Sequence, residues 1–401
     1  MGSNPLAKIG RHFRAVWTFV MAMAVAESAG HAQTITFEAG CGLGDRATIA
    51  AVGDLLFHKK LQFQAYRKNG TFKTFWAPVT PLLEATDFTY GNLEGPTAHG
   101  VSRNWRNVRD TGKRYGAVYN AERTPMMFNV HPSVIDELVE TGFDVVSTAN
   151  NHAFDRGWLG INRTIENLEA GELAFTGTRI RDEEGRRWST VTRANGFSIA
   201  WLACTFSTNG PLDRYDQVIR CYKQSEQVLE EIAARAAEPD VDAVILVPHW
   251  GVENSHKPLK RQRALARAAL EAGAAAVIGT HPHVIQPWEK HLTERGAEGL
   301  TVYSTGNFIS NQRRLMERSG IIAVLELVRR EGGKAQIAAA GYVPTWVEID
   351  GKGHRVTVNT GTGGWRRSAL RQTRKILPAG NHVSTGVSWP LNLPRDCHPG
   401  H

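Results

Sequence analysis

The sequence predicts an α/β protein with helices on both faces of its strands. Two observations carry this. Short, wholly apolar runs recur along the 401 residues, which suits strands buried on both faces. Amphipathic stretches at helical spacing lie between them, and that alternation defines the class. Aromatic content is normal and no low-complexity tract or internal repeat stands out, so fibrous and disordered classes are excluded.

Taken in order, Ala47–Val52 reads as a buried strand ending at Gly53-Asp54, and Phe88–Tyr90 ends at Gly91-Asn92. Asp144–Thr148 ends at Ala149-Asn150-Asn151-His152. Ile199–Ala203 follows, and Ala243–Val247 ends at Pro248-His249. Ala275–Ile278 ends at Gly279-Thr280-His281, and Leu300–Tyr303 at Ser304-Thr305-Gly306-Asn307. Helices are expected over His131–Thr141, Gly160–Ala170, Gln224–Ala237 and Pro258–Ala272. In the first, Val134, Ile135, Leu138 and Val139 share a face, Ser133 or Asp136 starts it and Gly142 follows it. Gly320–Val328, Ala335–Ile349 and Arg355–Val358 read as antiparallel strands. Beyond about Gly361, Gly, Arg and Pro scatter without period, which predicts a poorly packed tail. Residues 97–125, with Trp105, Arg103, Arg106, Arg109, Lys113, Arg114 and Arg123, predict a polar loop reaching over the site.

The start of the chain carries Lys8, Arg11 and Arg14, then an apolar run over 15–26, then small residues up to Ala32. Basic, apolar, then small is the plan of a cleavable secretory signal over residues 1–32, with Gln33 as mature start. The run is too short for a membrane anchor, which needs about 20 residues. The expected location is therefore periplasmic or extracellular. A main domain over 33–348 and a C-terminal extension over 349–401 complete the expected organisation. Export permits disulfides. Cys204 and Cys221 bracket a short loop, and Cys41 and Cys397 lie near the mature ends; four free thiols are the alternative. No CxxC spacing marks a zinc–cysteine site.

Net charge is +8. Basic clusters at Lys257–Arg263, Arg313–Arg318 and Arg366–Lys375 favour an anionic polymer, an anionic membrane surface or a phosphorylated substrate. A solvated surface is the plainer alternative. No nucleic-acid-binding motif is present, so no nucleic-acid partner is expected.

The chemistry is concentrated at the strand ends. In open α/β sheets, ligands bind beyond the carboxyl ends of the strands. Asp54, Asn92 with Glu94, Asn151 with His152, His249, and His281 with His283 should therefore converge. Each alone has a plain reading, a capping aspartate, a turn asparagine or a core histidine; together they read as a metal site. In His281-Pro282-His283 an extended backbone would turn both imidazoles to one side. Carboxylates, amide oxygens and neutral imidazoles suit zinc, manganese or iron. His152 would serve as general acid, oriented by Asp155.

These fragments resemble the CapA family of capsule-synthesis, or poly-γ-glutamate biosynthesis, proteins, itself similar to the calcineurin-like metallophosphoesterases. The resemblance spans roughly residues 47–347. It rests on Gly53-Asp54, Asn92-Leu93-Glu94, Ala149–Gly157, His249-Trp250-Gly251 with Glu253, Gly279–His283, Tyr303–Phe308 and Pro344-Thr345-Trp346. It implies a four-layer αββα sandwich of two mixed sheets. It also implies metal-ligand positions at Asp54, Asn92, Glu94, Asn151, His249, His281 and His283, with His152 protonating the leaving group. Two departures stand out. Asp54 is followed by Leu55-Leu56 where phosphoesterases carry Asp-x-His, and Gly91-Asn92 replaces Gly-Asp. These imply one divalent ion, or a second held more weakly, with Glu94 or His58 as the compensating group.

Two functions follow as expectations. One is an exported metal-dependent hydrolase acting on a phosphoester or on the γ-amide or glycan linkages of an anionic polymer. The other is a non-catalytic periplasmic accessory protein for polymer assembly or export, working with membrane capsule machinery.

Overall fold

The structure, a computed structural model, describes residues 34–123, 126–182, 185, 187–383 and 393–395. The secretory signal read over residues 1–32, and Cys397, lie outside the described residues.

The chain runs β1 (Asp45–Leu55), α1 (Lys59–Phe63), α2 (Thr80–Leu83), β2 (Phe88–Leu93), β3 (Asn120–Arg123), β4 (Met126–Asn129), α3 (Ser133–Val139) and β5 (Val145–Ser147). It continues through α4 (Gly157–Ala170), β6 (Ala174–Thr176), β7 (Thr190–Ala194), β8 (Phe197–Thr205), α5 (Ser225–Ala237), β9 (Ala243–His249), α6 (Lys260–Ala272) and β10 (Ala276–Ile278). It closes with β11 (Ile285–Leu292), β12 (Glu298–Thr305), β13 (Asn307–Ile309), β14 (Ser319–Arg329), β15 (Gln336–Asp350), β16 (Gly353–Val358) and α7 (Gly364–Ile376).

One sheet has the order β16-β15-β14-β1-β2-β5-β6, with β13 also pairing β1. Its β1-β2-β5-β6 half is parallel and its β1-β14-β15-β16 half antiparallel. The second sheet has the order β11-β12-β10-β9-β8-β7, parallel through β12-β10-β9-β8 and antiparallel at both edges.

Strand periodicity explains the layering. Along β8, Ile199, Trp201 and Ala203 join one core while Ala200, Leu202 and Cys204 join another. β9 divides likewise, Ala243, Ile245 and Val247 against Val244 and Leu246. Successive side chains point to opposite faces, so a strand buried on both must be apolar throughout. The first core lies between the sheets, where Tyr90 of β2 stacks on Trp201 of β8 at 5.6 Å. It extends to the outer face of the larger sheet, where α3 and α4 bury Val134, Leu138, Ile161 and Ile165. The second core packs α5 and α6, through Val228, Ile232, Leu265 and Leu270, on the smaller sheet. The result is the four-layer α/β sandwich with two mixed sheets between helices.

Two expectations change. The segment after Gly361 contains a regular helix, α7, which buries Ala369, Leu370 and Thr373. Leu377 and Val383 behind it join the inter-sheet core. Its apolar residues are few and its outer face is densely cationic, which hid the helical period. The insertion over residues 97–125 is not loop throughout. Asn129 of β4 accepts the Ala98 N–H and donates to the carbonyls of Ala98 and Val118. The insertion therefore ends in a β-hairpin, β3-β4, held against the body.

Cys204 and Cys221 form a disulfide 17 residues apart. It ties the end of β8 to the chain that leads into α5. Serine at both positions is expected to lower unfolding free energy by about 3 kcal/mol through the freer unfolded chain. Denaturant unfolding with and without reductant checks this; the serine variant should not respond to reductant at this loop.

Candidate metal centre

The strand ends are built to turn side chains toward one another. β1 breaks its regular pairing between Ala51 and Asp54, and such irregularities re-aim a side chain. Asp54 then faces both Asn92 of β2 and Asn307 of β13. Gly53 makes this possible, because a Cβ there would come within 1.7 Å of the Gly306 carbonyl oxygen. The His281-Pro282-His283 turn differs from the extended geometry that the sequence suggests. His281 has φ +98° and His283 φ +58°, left-handed values that cost a non-glycine residue about 1–3 kcal/mol each. The imidazoles converge by two strained turns, not by strand alternation, and such strain is commonly retained where a site needs it.

Asp54 is fully buried. Its Oδ2 accepts from His283 Nδ1 at 3.0 Å, and its Oδ1 from Asn92 Nδ2 at 2.8 Å. Asn307 Oδ1 also lies 3.0 Å from His283 Nδ1. His249 Nε2 donates to Asn151 Oδ1 at 2.8 Å and lies 3.2 Å from His281 Nδ1. On its other side, His249 Nδ1 meets Thr280 Oγ1 at 3.0 Å. The tautomer here follows from the partners. Glu94 Oε1 sits 3.7 Å from His249 Nε2 and 3.9 Å from His283 Nε2. The structure thus brings Asp54, Asn92, Glu94, Asn151, His249, His281 and His283 into one buried cluster.

Within it the residues differ in what they offer. Asn92 presents its amide nitrogen, not the expected oxygen, to Asp54 and His249; its oxygen accepts from Ser147 Oγ at 2.9 Å. It therefore orients Asp54. Asn151 does turn its oxygen inward. His58 lies beside the cluster and, among the described residues, makes no hydrogen bond into it: its Nδ1 accepts the Asn311 N–H, and its ring packs edge-on against Phe128.

The electrostatics ask for a cation. Both Glu94 oxygens are buried without a hydrogen-bond partner. No Lys or Arg among the described residues pairs with Glu94 or Asp54. Buried carboxylates are normally paired or bound to metal. Burial, and then the Asp54 charge, push the Glu94 carboxyl up to about 8. Burial depresses His283, but Glu94 and Asp54 outweigh it and lift the imidazole to about 10. Burial, then neighbouring imidazoles, hold His249 and His281 well below their ordinary value and so neutral, the ligating form. Ligand atoms of Glu94, His281 and His283 all lie within 4.8 Å of one another. Bonds of about 2.1 Å to one ion could bridge them with small side-chain shifts. The donor set fits a divalent metal.

Beside the cluster, His152 Nδ1 donates to Asp155 Oδ2 at 2.8 Å. Burial opposes the imidazolium, but the Asp155 charge and hydrogen bond win and raise the His152 pKa. Asp155 Oδ2 also accepts the Phe128 N–H at 2.6 Å, and the Phe128 ring stands edge-on to His152 at 4.7 Å. Phe128, Ser147 and Thr280 support the site and escape a sequence reading, since nothing local distinguishes them. Asn307 carries the same strand-end signal as the others.

Sequence comparison identifies the family. Residues 48–312 match the model of the bacterial capsule synthesis protein family PGA_cap. The chain is similar to the capsule biosynthesis protein CapA of Bacillus anthracis, 29% identical over 355 residues, covering 86% of this chain and 75% of that one. It is also similar to the PGA biosynthesis protein CapA of Bacillus subtilis (strain 168), 24% identical over 294 residues, covering 73% and 71%. Among solved structures, TT1561 of Thermus thermophilus aligns with TM-score 0.36 and 11% identity over 70% of this chain and 93% of that one. The matched span begins in the strand that carries Asp54 and runs past Asn307, so every residue of the cluster falls inside it. This chain belongs to the bacterial capsule synthesis protein family PGA_cap.

Proposed function

We propose that this chain is a metal-dependent hydrolase acting outside the cytoplasm on an ester or amide linkage of an anionic substrate, in capsule-type polymer metabolism. The observation that carries the reading is Glu94: a buried carboxylate with neither oxygen satisfied, facing His281 and His283, beside a hydrogen-bonded His152–Asp155 pair. Asp54, Glu94, Asn151, His249, His281 and His283 would hold one or two divalent ions, of zinc, manganese or iron. A bound ion supplies a water acidified toward neutrality and a positive pole for the oxygen under attack. Asp155 fixes the His152 tautomer, leaving Nε2 to deliver a proton to the leaving group.

The surroundings support an anionic substrate. Arg103, Arg106, Arg109 and Arg114 are exposed and have no carboxylate partner among the described residues. Their segment lies beside the pair, since the Trp105 ring is so close to Gly157 that a Cβ there would meet it at 2.5 Å. The disulfide between Cys204 and Cys221 supports an oxidising compartment. No helix among the described residues is long and apolar enough to cross a membrane.

A second reading, an accessory protein for assembling or exporting the polymer, is favoured by one observation. Asn92 stands where phosphoesterases carry a metal-binding carboxylate, and its amide oxygen is turned away from the cluster. The test is direct. Metal content of the purified chain is measured, then hydrolysis of a phosphodiester and of poly-γ-glutamate, before and after chelation and metal restoration. Copurifying metal with turnover that chelator abolishes is the expected result. Metal retained with no turnover on either substrate selects the accessory role, and a chain that retains no metal overturns the hydrolase reading and leaves the accessory one.

A further inference from the structure

Helix α7 is basic on its outer face and contains no acidic residue. Thirteen residues long, it carries Arg366, Arg367, Arg371, Arg374 and Lys375. Arg366 is engaged, donating to the Val358 carbonyl and lying 3.6 Å from Glu348. The other four are exposed, and none has a carboxylate partner among the described residues. At about 100° per residue, Arg367, Arg371, Arg374 and Lys375 share an arc of roughly 100°, opposite buried Ala369 and Thr373. Like charges so close repel, and no carboxylate among the described residues pairs with these four to offset the cost. Trp365, at the start of the helix, is 59% exposed.

This face continues toward the metal centre. Gln372 Nε2 lies 3.4 Å from His256 Nε2, which places Arg371 and exposed Lys257 in one region of surface. Two residues before His256, Asn254 donates its N–H to the Pro282 carbonyl, between the two ligating histidines. Exposed Lys257 and Lys260 also lack carboxylate partners among the described residues.

We propose that the α7 face is a docking surface for an anionic phospholipid bilayer, holding the metal centre close to the membrane. The charge favours an anionic partner. The shape selects a flat one, because the outer side of a helix is convex and cannot enclose a polymer chain. The exposed Trp365 fits the same partner, since indole rings settle at the headgroup level. Each cation near an anionic leaflet adds a comparable electrostatic increment, so a four-cation face binds reversibly and salt-sensitively.

The test is cosedimentation of the full chain with vesicles of phosphatidylcholine alone and of phosphatidylcholine mixed with phosphatidylglycerol. Wild type should bind the mixed vesicles and release with added salt. Replacing Arg367, Arg371 and Lys375 together by Gln should reduce partitioning at least about tenfold. Replacing the same three so that only Lys stands there should preserve it. All three proteins share the same N-terminal residues, so only the helix differs between them. Equal binding to neutral vesicles, or undiminished binding of the Gln variant, overturns the proposal. So does capture of the wild type by soluble poly-γ-glutamate with no vesicle binding, which would make the face a polymer site.

Discussion

Replacing Glu94 by Gln is expected to lower divalent-metal affinity by more than about 100-fold, because losing even a group that merely supports a ligand costs about 10–100-fold. Glu94 is buried with both oxygens free for a cation, and an amide removes the charge that makes that position attractive. The same substitution should alter how the metal-free protein responds to pH. The Glu94 carboxyl titrates at about 8 in the folded chain, above its ordinary 4.5. The folded state therefore binds more protons than the unfolded state between those values, and wild-type stability falls as pH rises across that window. His283, lifted to about 10, adds a loss of the same sign at higher pH. Gln removes the first contribution and weakens the second, because Glu94 is the larger of the charges that lift His283. Chelated wild type and variant, melted at pH 5 and pH 8, should diverge: wild type loses stability toward pH 8 and the variant loses less. An unchanged metal content in the variant would remove Glu94 from the ligand set.

His152→Ala should reduce turnover by about 10²–10⁴-fold, the range for a positioned general acid, while metal content stays the same. The buried pair makes a second, sharper expectation. Asp155 raises the His152 pKa against the pull of burial. A general acid must carry its proton, so activity falls as pH rises through that pKa. Asp155→Asn removes the lift, and the alkaline limb of the rate profile should move to lower pH. Loss of structure alone would scale the whole profile without moving the limb. An unshifted limb, or full turnover in His152→Ala, would end the acid assignment.

The α/β class and most of its elements were readable because burial on both faces forces uninterrupted apolar strands. β8 and β9 show this, dividing alternate residues between two cores. The site residues were readable for a related reason. Polar side chains with metal-binding atoms, placed directly after apolar strands, have few structural uses there. Asp54, Glu94, Asn151, His249, His281 and His283 all carry that signal. What the sequence could not display was direction. Asn92 sits where a ligand is expected from the sequence yet turns its nitrogen inward, because Ser147 on the neighbouring strand holds its oxygen. The His281 and His283 rings meet through left-handed turns that no local pattern announces. Helix α7 was hidden because few of its residues are apolar, and its place depends on the space the two sheets leave beside them.

By itself, then, the order of residues determined the class, the strand ends and the stock of candidate ligating groups, since these follow from periodicity and chemical type. Only the tertiary structure decided which atoms of that stock face one another, and that Glu94 is left unsatisfied among them. Hydrogen-bond partners from distant strands set those orientations, and partners separated by up to 229 residues, as His283 and Asp54 are, leave no mark on local sequence.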